Sequence, residues 1–336
     1  MSATLVPEYL NITKKWKKEK GEKTVVLMEV GKFFEIYGLL EPDGSYSGSD
    51  IGEVHKITGL VIANKSGQKD RTNKPIVMAG FQPPQFEKYV NMLQDNGYTC
   101  VIYTQDGPGK NVTRSLSEII SPGTFFTDEC KTISNTSMCL WFQHSKKTKY
   151  MKEILIIGCA TIDIFTGKTT IFETHIPYYH NPCTYDEIEK LISVYKPKEC
   201  IIISNLSTKV INEIINFVGL DDTKKHIVDV TTLSNERESA TKMDIRVKNA
   251  EKQIYQVDIF HTFYENLSKE IVISNFIQEH CTAVQAFVVL LDFVYEYSPN
   301  LTKKLDVPIV EGHSDKLILA NHSLQQLNIL DDTRHT

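Results

Sequence analysis

The segment Val25–Tyr37 constrains the fold more than any other part of this chain. It opens on the apolar run Val25-Val26-Leu27-Met28 and closes on Gly31-Lys32-Phe33-Phe34-Glu35-Ile36-Tyr37. So dense a set of β-branched and aromatic residues predicts a strand region that packs into a core. Alternate side chains of a strand share a face. Phe33, Glu35 and Tyr37 then point one way, and Phe34 and Ile36 anchor the other. The spacing sets an aromatic ring beside a carboxylate. Such a pair suits a wedge that enters a base stack and tests the base it meets. Taken alone, the triplet reads first as ordinary sheet and second as a DNA probe, because aromatics are common in strands.

A chain of 336 residues has the length for two or three domains. Its 41% hydrophobic and 24% charged residues are those of a soluble globular protein. No apolar run approaches the roughly 20 residues of a membrane-spanning helix, and Met1–Pro7 is too short and polar for a secretion signal. The seven cysteines, at 100, 130, 139, 159, 183, 200 and 281, are odd in number and lack Cys-x-x-Cys spacing. They read as buried reduced thiols, which fits an intracellular, soluble protein. The net charge of −5 argues against a surface that attracts nucleic acid everywhere. DNA contact must then be local, or supported by a partner chain. Lys14, Lys15, Lys17, Lys18, Lys20 and Lys23 cluster on a helix expected around Pro7–Lys20. They read first as a solvated face and second as a phosphate-contacting one.

Three modules are expected. The first, residues 1–127, mixes helices with a small sheet. After the Val25–Tyr37 strand region it has a polar loop, a short helix carrying Ile51, Val54 and Ile57, a strand at Leu60-Val61-Ile62 and a loop from Lys65 to Lys74. A helix over Gln85–Asn96 follows, ended by Asn96-Gly97, and then a strand over Thr99–Tyr103. The second module, residues 128–233, has a long strand Ile154–Phe165, a turn at Thr166-Gly167 and a returning strand. Thr184-Tyr185-Asp186-Glu187 has the form of a capping box before a helix, and Glu199–Ile203 is a further strand. The third module, residues 244–336, reads as helical, with Ala283, Phe287, Leu290, Val294 and Tyr297 on one stripe.

Most catalytic signatures are missing from the sequence. There is no Gly-x-x-x-x-Gly-Lys-Ser/Thr loop, no His-Glu-x-x-His, no Cys/His set with zinc spacing and no Gly-x-Ser-x-Gly. One enzymatic reading stands as an alternative. Asp163, Glu187, Glu189 and Glu199 on an RNase H-like sheet and helix would form a carboxylate set able to hold two magnesium ions for nuclease chemistry. Against it, Asp163 also suits a turn, and the two helix glutamates suit a cap and a solvated face. A third reading is a structural or interaction segment that does not bind DNA.

With its segments in order, the chain resembles the N-terminal half of a MutS DNA mismatch-recognition protein. The resemblance is carried by Gly31-Lys32-Phe33-Phe34-Glu35-Ile36, Met78-Ala79-Gly80, Val101-Ile102-Tyr103-Thr104-Gln105, Ile119-Ile120-Ser121-Pro122-Gly123-Thr124, Ile162-Asp163-Ile164-Phe165-Thr166-Gly167 and Leu319–Leu327. The layout is most similar to the divergent branch of giant viruses and octocoral mitochondria. Two features depart from the family: Phe81-Gln82-Pro83-Pro84, and the long Leu40–Ser49 loop.

The resemblance implies an α/β multidomain fold. A mixed α/β mismatch-recognition domain would be followed by an RNase H-like connector and the start of an all-α lever. It implies that Phe33 stacks on a mispaired base at a minor-groove kink and that Glu35 hydrogen-bonds it. Lys65, Lys69 and Arg71 are candidates for DNA backbone contacts. The implied partners are double-stranded DNA with mismatches or small loops, a second MutS-type subunit, and a MutL-like protein at the connector. No catalytic residue is expected in this chain, and ATP and Mg2+ are expected only for an ATPase domain beyond Thr336.

Overall fold

A computed structural model describes residues 5–70, 73–106, 113–124, 135–147, 149, 152–179, 182–233, 240–264, 278–297, 299 and 304–312, without the side chains of 66–68 and 182–183. The chain divides into two compact units, Met1–Asp128 and Glu129–Thr336.

The first unit begins with helix α1 (Leu5–Lys20) and strands β1 (Thr24–Val30), β2 (Phe33–Leu40) and β3 (Tyr46–Ser47). Helix α2 (Ile51–Thr58) and strands β4 (Ala63–Lys69) and β5 (Pro75–Phe81) follow, and then α3 (Phe86–Asp95), β6 (Thr99–Asp106) and β7 (Thr113–Ile120). The sheet order is β4-β5-β2-β1-β6-β7, with β3 on the end of β2. Val25 to Met28 are all buried because β1 runs centrally, parallel to β6 and antiparallel to β2, with both faces covered. On one face Tyr9 and Trp16 of α1 pack down: the Tyr9 hydroxyl donates to Val26 O at 3.0 Å, and Trp16 Nε1 donates to Tyr103 Oη at 3.1 Å. On the other face the Phe34 ring lies 5.1 Å from that of Phe86 at the start of α3.

Two expectations change here. The Val25–Tyr37 region is a hairpin rather than one strand. Val30 pairs with Phe33 across Gly31-Lys32, and Gly31 takes φ +66, which suits the first central position of a two-residue turn. Leu60-Val61-Ile62 is not a strand, and the expected polar loop after it supplies β4 instead. Pairing with β5 decides that, because an edge strand open to water needs no apolar alternation.

The second unit holds β8 (Thr136–Ser145), β9 (Ile154–Asp163), β10 (Thr169–Pro177), α4 (Asp186–Tyr195) and β11 (Glu199–Ser204). It continues with α5 (Thr208–Val218), β12 (Lys224–Asp229), α6 (Lys242–Ala250), α7 (Gln253–Phe263), α8 (Cys281–Tyr297) and β13 (Ile309–Val310). The sheet order is β12-β11-β8-β9-β10-β13. Strands β8, β9 and β10 form an antiparallel meander, and β11 and β12 run parallel to β8. Met138, Leu140 and Phe142 of β8 pack with Ile188 and Leu191 of α4 and Ile211 and Ile214 of α5.

The opposite face of that sheet receives α8, and α6 and α7 pack against α8, so these described helices of the expected third module belong to this unit. The seat of α8 is one cross-strand pair, Gly158 and Glu173. Glu173 Oε2 accepts from Thr282 N at 2.8 Å and from Ala283 N at 2.9 Å. A side chain thus satisfies two orphan donors of the first helical turn and faces the positive end of the helix dipole. Glu173→Ala is expected to destabilise this unit by about 1–2 kcal/mol, as lost caps do. A lowered urea midpoint with an unchanged slope is the readout; an unchanged midpoint would show that the cap contributes nothing.

The capping box expected at Thr184 does not form. Helix α4 starts at Asp186 without a side-chain cap, and Thr184 Oγ1 instead bonds Tyr179, donating to its carbonyl at 2.6 Å. Among the described residues, Cys100, Cys139, Cys159 and Cys200 are buried thiols outside any disulfide, and Cys281 is exposed. Burial pushes the Cys200 thiol up to about 12, so it stays protonated and inert. No described helix is long and apolar enough to cross a membrane.

Candidate nucleic-acid interface

The turn at Gly31-Lys32 determines where Phe33 sits. Phe33 is the first residue of β2, next to the loop, and is 42% exposed. Among the described residues no other ring pairs with it. Two positions on, along the same face, Glu35 is only 9% exposed, and Tyr37 is fully buried. The period of two holds, but burial divides the triplet: the ring projects and the carboxylate is drawn in.

Tyr37 holds that carboxylate. Its hydroxyl donates to Glu35 Oε2, and its ring meets Tyr9 edge-on with centroids 5.2 Å apart. Burial first, and the Glu35 hydrogen bond second, push the Tyr37 hydroxyl far above its ordinary range. It therefore keeps its proton and acts as the donor.

The sheet brings two cations to this face. Lys65 on β4 sets its ammonium 4.1 Å from the Tyr37 ring centroid, a cation–π geometry. Burial lowers the Lys65 pKa; the Glu35 charge opposes that shift and the Arg114 charge adds to it. Arg114 on β7 is anchored by its Nε, which donates to Glu29 O at 2.9 Å. Among the other backbone-contact candidates, Lys69 is exposed and Arg71 lies outside the described residues. Arg114 escaped sequence reasoning because it sits in an unremarkable polar stretch. Only the β6–β7 register, with Gln105 opposite Arg114, carries it to this face.

The carboxylates of the nuclease alternative do not converge. Asp163 pairs with Thr136, and Glu199 pairs with Ser137, the next residue on the same strand β8. Adjacent strand residues face opposite ways, so the sheet itself separates the two acids. Asp163 closes a turn instead, its Oδ1 accepting from Asn135 N at 3.2 Å and from Phe165 N at 3.1 Å, and its Oδ2 from the Thr166 hydroxyl at 2.8 Å. Glu199, on the α8 side, accepts from His226 Nε2 at 2.7 Å. Glu187 and Glu189 stand in the first turn of α4, over the other face. Among the described residues no three acidic, His or Cys side chains gather to hold a metal ion. The two-magnesium reading is therefore withdrawn.

Residues 11–129 match the family model MutS domain I. A protein of Acanthamoeba polyphaga mimivirus, named as a DNA mismatch repair protein mutS homolog, is 22% identical over 98% of this chain and 30% of its own length. The DNA mismatch repair protein MutS of Lactobacillus delbrueckii subsp. bulgaricus is 26% identical over 56% of this chain and 19% of its own length. That of Fervidobacterium nodosum is 26% identical over 62% of this chain and 21% of its own length. The chain thus spans less than a third of each of these relatives.

Proposed function

We propose that the chain is a segment of a MutS-type protein and that its first unit, which matches MutS domain I, senses mispaired or unpaired bases in double-stranded DNA. The observation that carries the reading is Phe33, a ring standing exposed at the tip of a hairpin with Glu35 on its own face. A mismatched or extrahelical base lowers the cost of unstacking and kinking the duplex, so a wedge reads deformability rather than sequence. Phe33 stacks on the loosened base, and Glu35 accepts a hydrogen bond from it. A carboxylate near DNA is repelled by phosphates, which disfavours fully paired duplex more than a kinked site. Lys65 and Arg114 on the same face offset that repulsion locally, within a chain whose net charge is −5. Lys69 and Arg71 are assigned to the duplex backbone.

The strand order of the second unit supports an RNase H-like connector, with a meander of three strands and two parallel strands beside its first. We assign to it contact with a MutL-like partner, and to the whole protein a MutS-type dimer. ATP and magnesium would belong to a separate P-loop domain, since no stretch of this sequence has that motif. Residues from 244 onward are read as leading into a lever; the block Leu319–Leu327 that suggests it lies outside the described residues.

The test is fluorescence anisotropy with a labelled duplex carrying one unpaired thymine or a G·T pair, against the same duplex fully paired. The chain is expected to bind the imperfect duplexes roughly tenfold tighter, the worth of one base–aromatic stack. Equal or undetectable binding to all three overturns the reading.

A further inference from the structure

We propose that Tyr37 is a positioning residue for Glu35, its hydroxyl fixing Oε2 so that Oε1 is presented to the base stacked on Phe33. The inference rests on the reading of Phe33 and Glu35 given above. Glu35 has several freely rotating bonds, and a carboxylate that must be ordered on binding loses affinity to entropy. Here the ordering is done in advance. The Tyr37 ring is fully buried and held from two sides, edge-on by Tyr9 and by the Lys65 ammonium 4.1 Å from its centroid. Tyr9 is in turn tied to the backbone of β1 through its 3.0 Å bond to Val26 O. The hydroxyl is thus a donor on a rigid stem. Among the described residues the hydrogen bond to Glu35 falls on Oε2, and Oε1 is not among the buried oxygens that lack a partner, so Oε1 is left to accept from a base.

The arrangement also explains how an acid can sit in the sheet beside a DNA probe. A buried carboxylate needs a donor. Tyr37 supplies one without adding a positive charge that would hold Glu35 away from the base. Lys65 contributes through the ring and through its longer-range attraction to Glu35, and its half-buried placement follows from that stacking.

Tyr37→Phe keeps the ring, the Tyr9 contact and the Lys65 stack, and removes only the hydroxyl. In the anisotropy assay the ratio of unpaired-thymine to fully paired affinity is expected to fall about two- to fivefold, the worth of one hydrogen bond, while Phe33→Ala removes most of it. The same substitution in a Glu35→Ala background is expected to change the ratio no further, because residues acting as a unit do not add. Glu35→Leu, which fills the space and leaves no acceptor for the hydroxyl, serves as the background if the alanine variant does not fold. An unchanged ratio in Tyr37→Phe overturns the proposal. So does an equal loss in both backgrounds, which a merely structural tyrosine would give. If the parent chain itself shows no preference, the mismatch reading falls and takes this one with it. If Phe33→Ala abolishes a preference that Tyr37→Phe leaves intact, the positioning role alone falls.

Discussion

Phe33→Ala is expected to remove most of the roughly tenfold preference for imperfect duplex, a loss of about 1.4 kcal/mol that lies within the worth of one base–aromatic stack. The reasoning is differential. On fully paired DNA the ring has no gap to enter, so homoduplex binding is expected to stay within about twofold. The fold should also be indifferent, because the ring is 42% exposed and pairs with no other described ring. Substitutions of exposed residues away from caps and turns shift stability by about 0.5 kcal/mol or less. The variant therefore separates reading from folding. Its neighbour Phe34 provides the contrast, being buried against Phe81 and Phe86. Phe34→Ala is a core truncation that would lower stability and binding together. A Phe33→Ala chain that still discriminates unpaired thymine from paired duplex sinks the wedge.

The second large effect concerns the scaffold. A Cβ added at Gly158 would lie 2.4 Å from Thr282 C and 2.5 Å from Ala283 N. Both are backbone atoms of the first turn of α8 and cannot swing aside as a side-chain tip would. Gly158→Ala must therefore lift α8 off the sheet or bend β9. Overpacking of this kind costs about 1–3 kcal/mol and occasionally more. Lifting the helix also lengthens the bonds from Glu173 Oε2 to Thr282 N and Ala283 N. The expected outcome is a marked fall in the urea midpoint of the second unit, followed by fluorescence of Trp141, which is buried there. Trp16, the other tryptophan, sits in the first unit, so a Trp16→Phe background isolates the signal. An unchanged midpoint would mean that α8 does not rest on Gly158.

Much of the local structure was legible because it is written in side-chain period. The helix expected around Pro7–Lys20 runs Leu5–Lys20, that over Gln85–Asn96 runs Phe86–Asp95, and the stripe from Ala283 to Tyr297 lies on α8. The alternation of Phe33, Glu35 and Tyr37 against Phe34 and Ile36 holds along β2. Errors fell where a partner strand decided the outcome. The apolar Leu60-Val61-Ile62 triplet is outside the sheet, and the polar residues after it are inside. Thr184 had the spacing of a cap but found Tyr179 instead.

The sequence by itself determined the alternation: Phe33, Glu35 and Tyr37 on one face of a strand, with a carboxylate two residues after an aromatic ring. That follows from backbone stereochemistry and the two-residue repeat, which act over a few bonds. Only the tertiary structure decided that Gly31-Lys32 turns the chain and what surrounds these side chains. Register across β2, β5 and β4 brings Lys65 to Tyr37, and register across β6 and β7 brings Arg114 to the same face. Register on β8 likewise put Asp163 and Glu199 on opposite sides of a sheet and dissolved a plausible metal site. Strand pairing is a long-range choice in which a shift of one residue exchanges the two faces. Residue spacing along the chain therefore could not reveal which charges would meet.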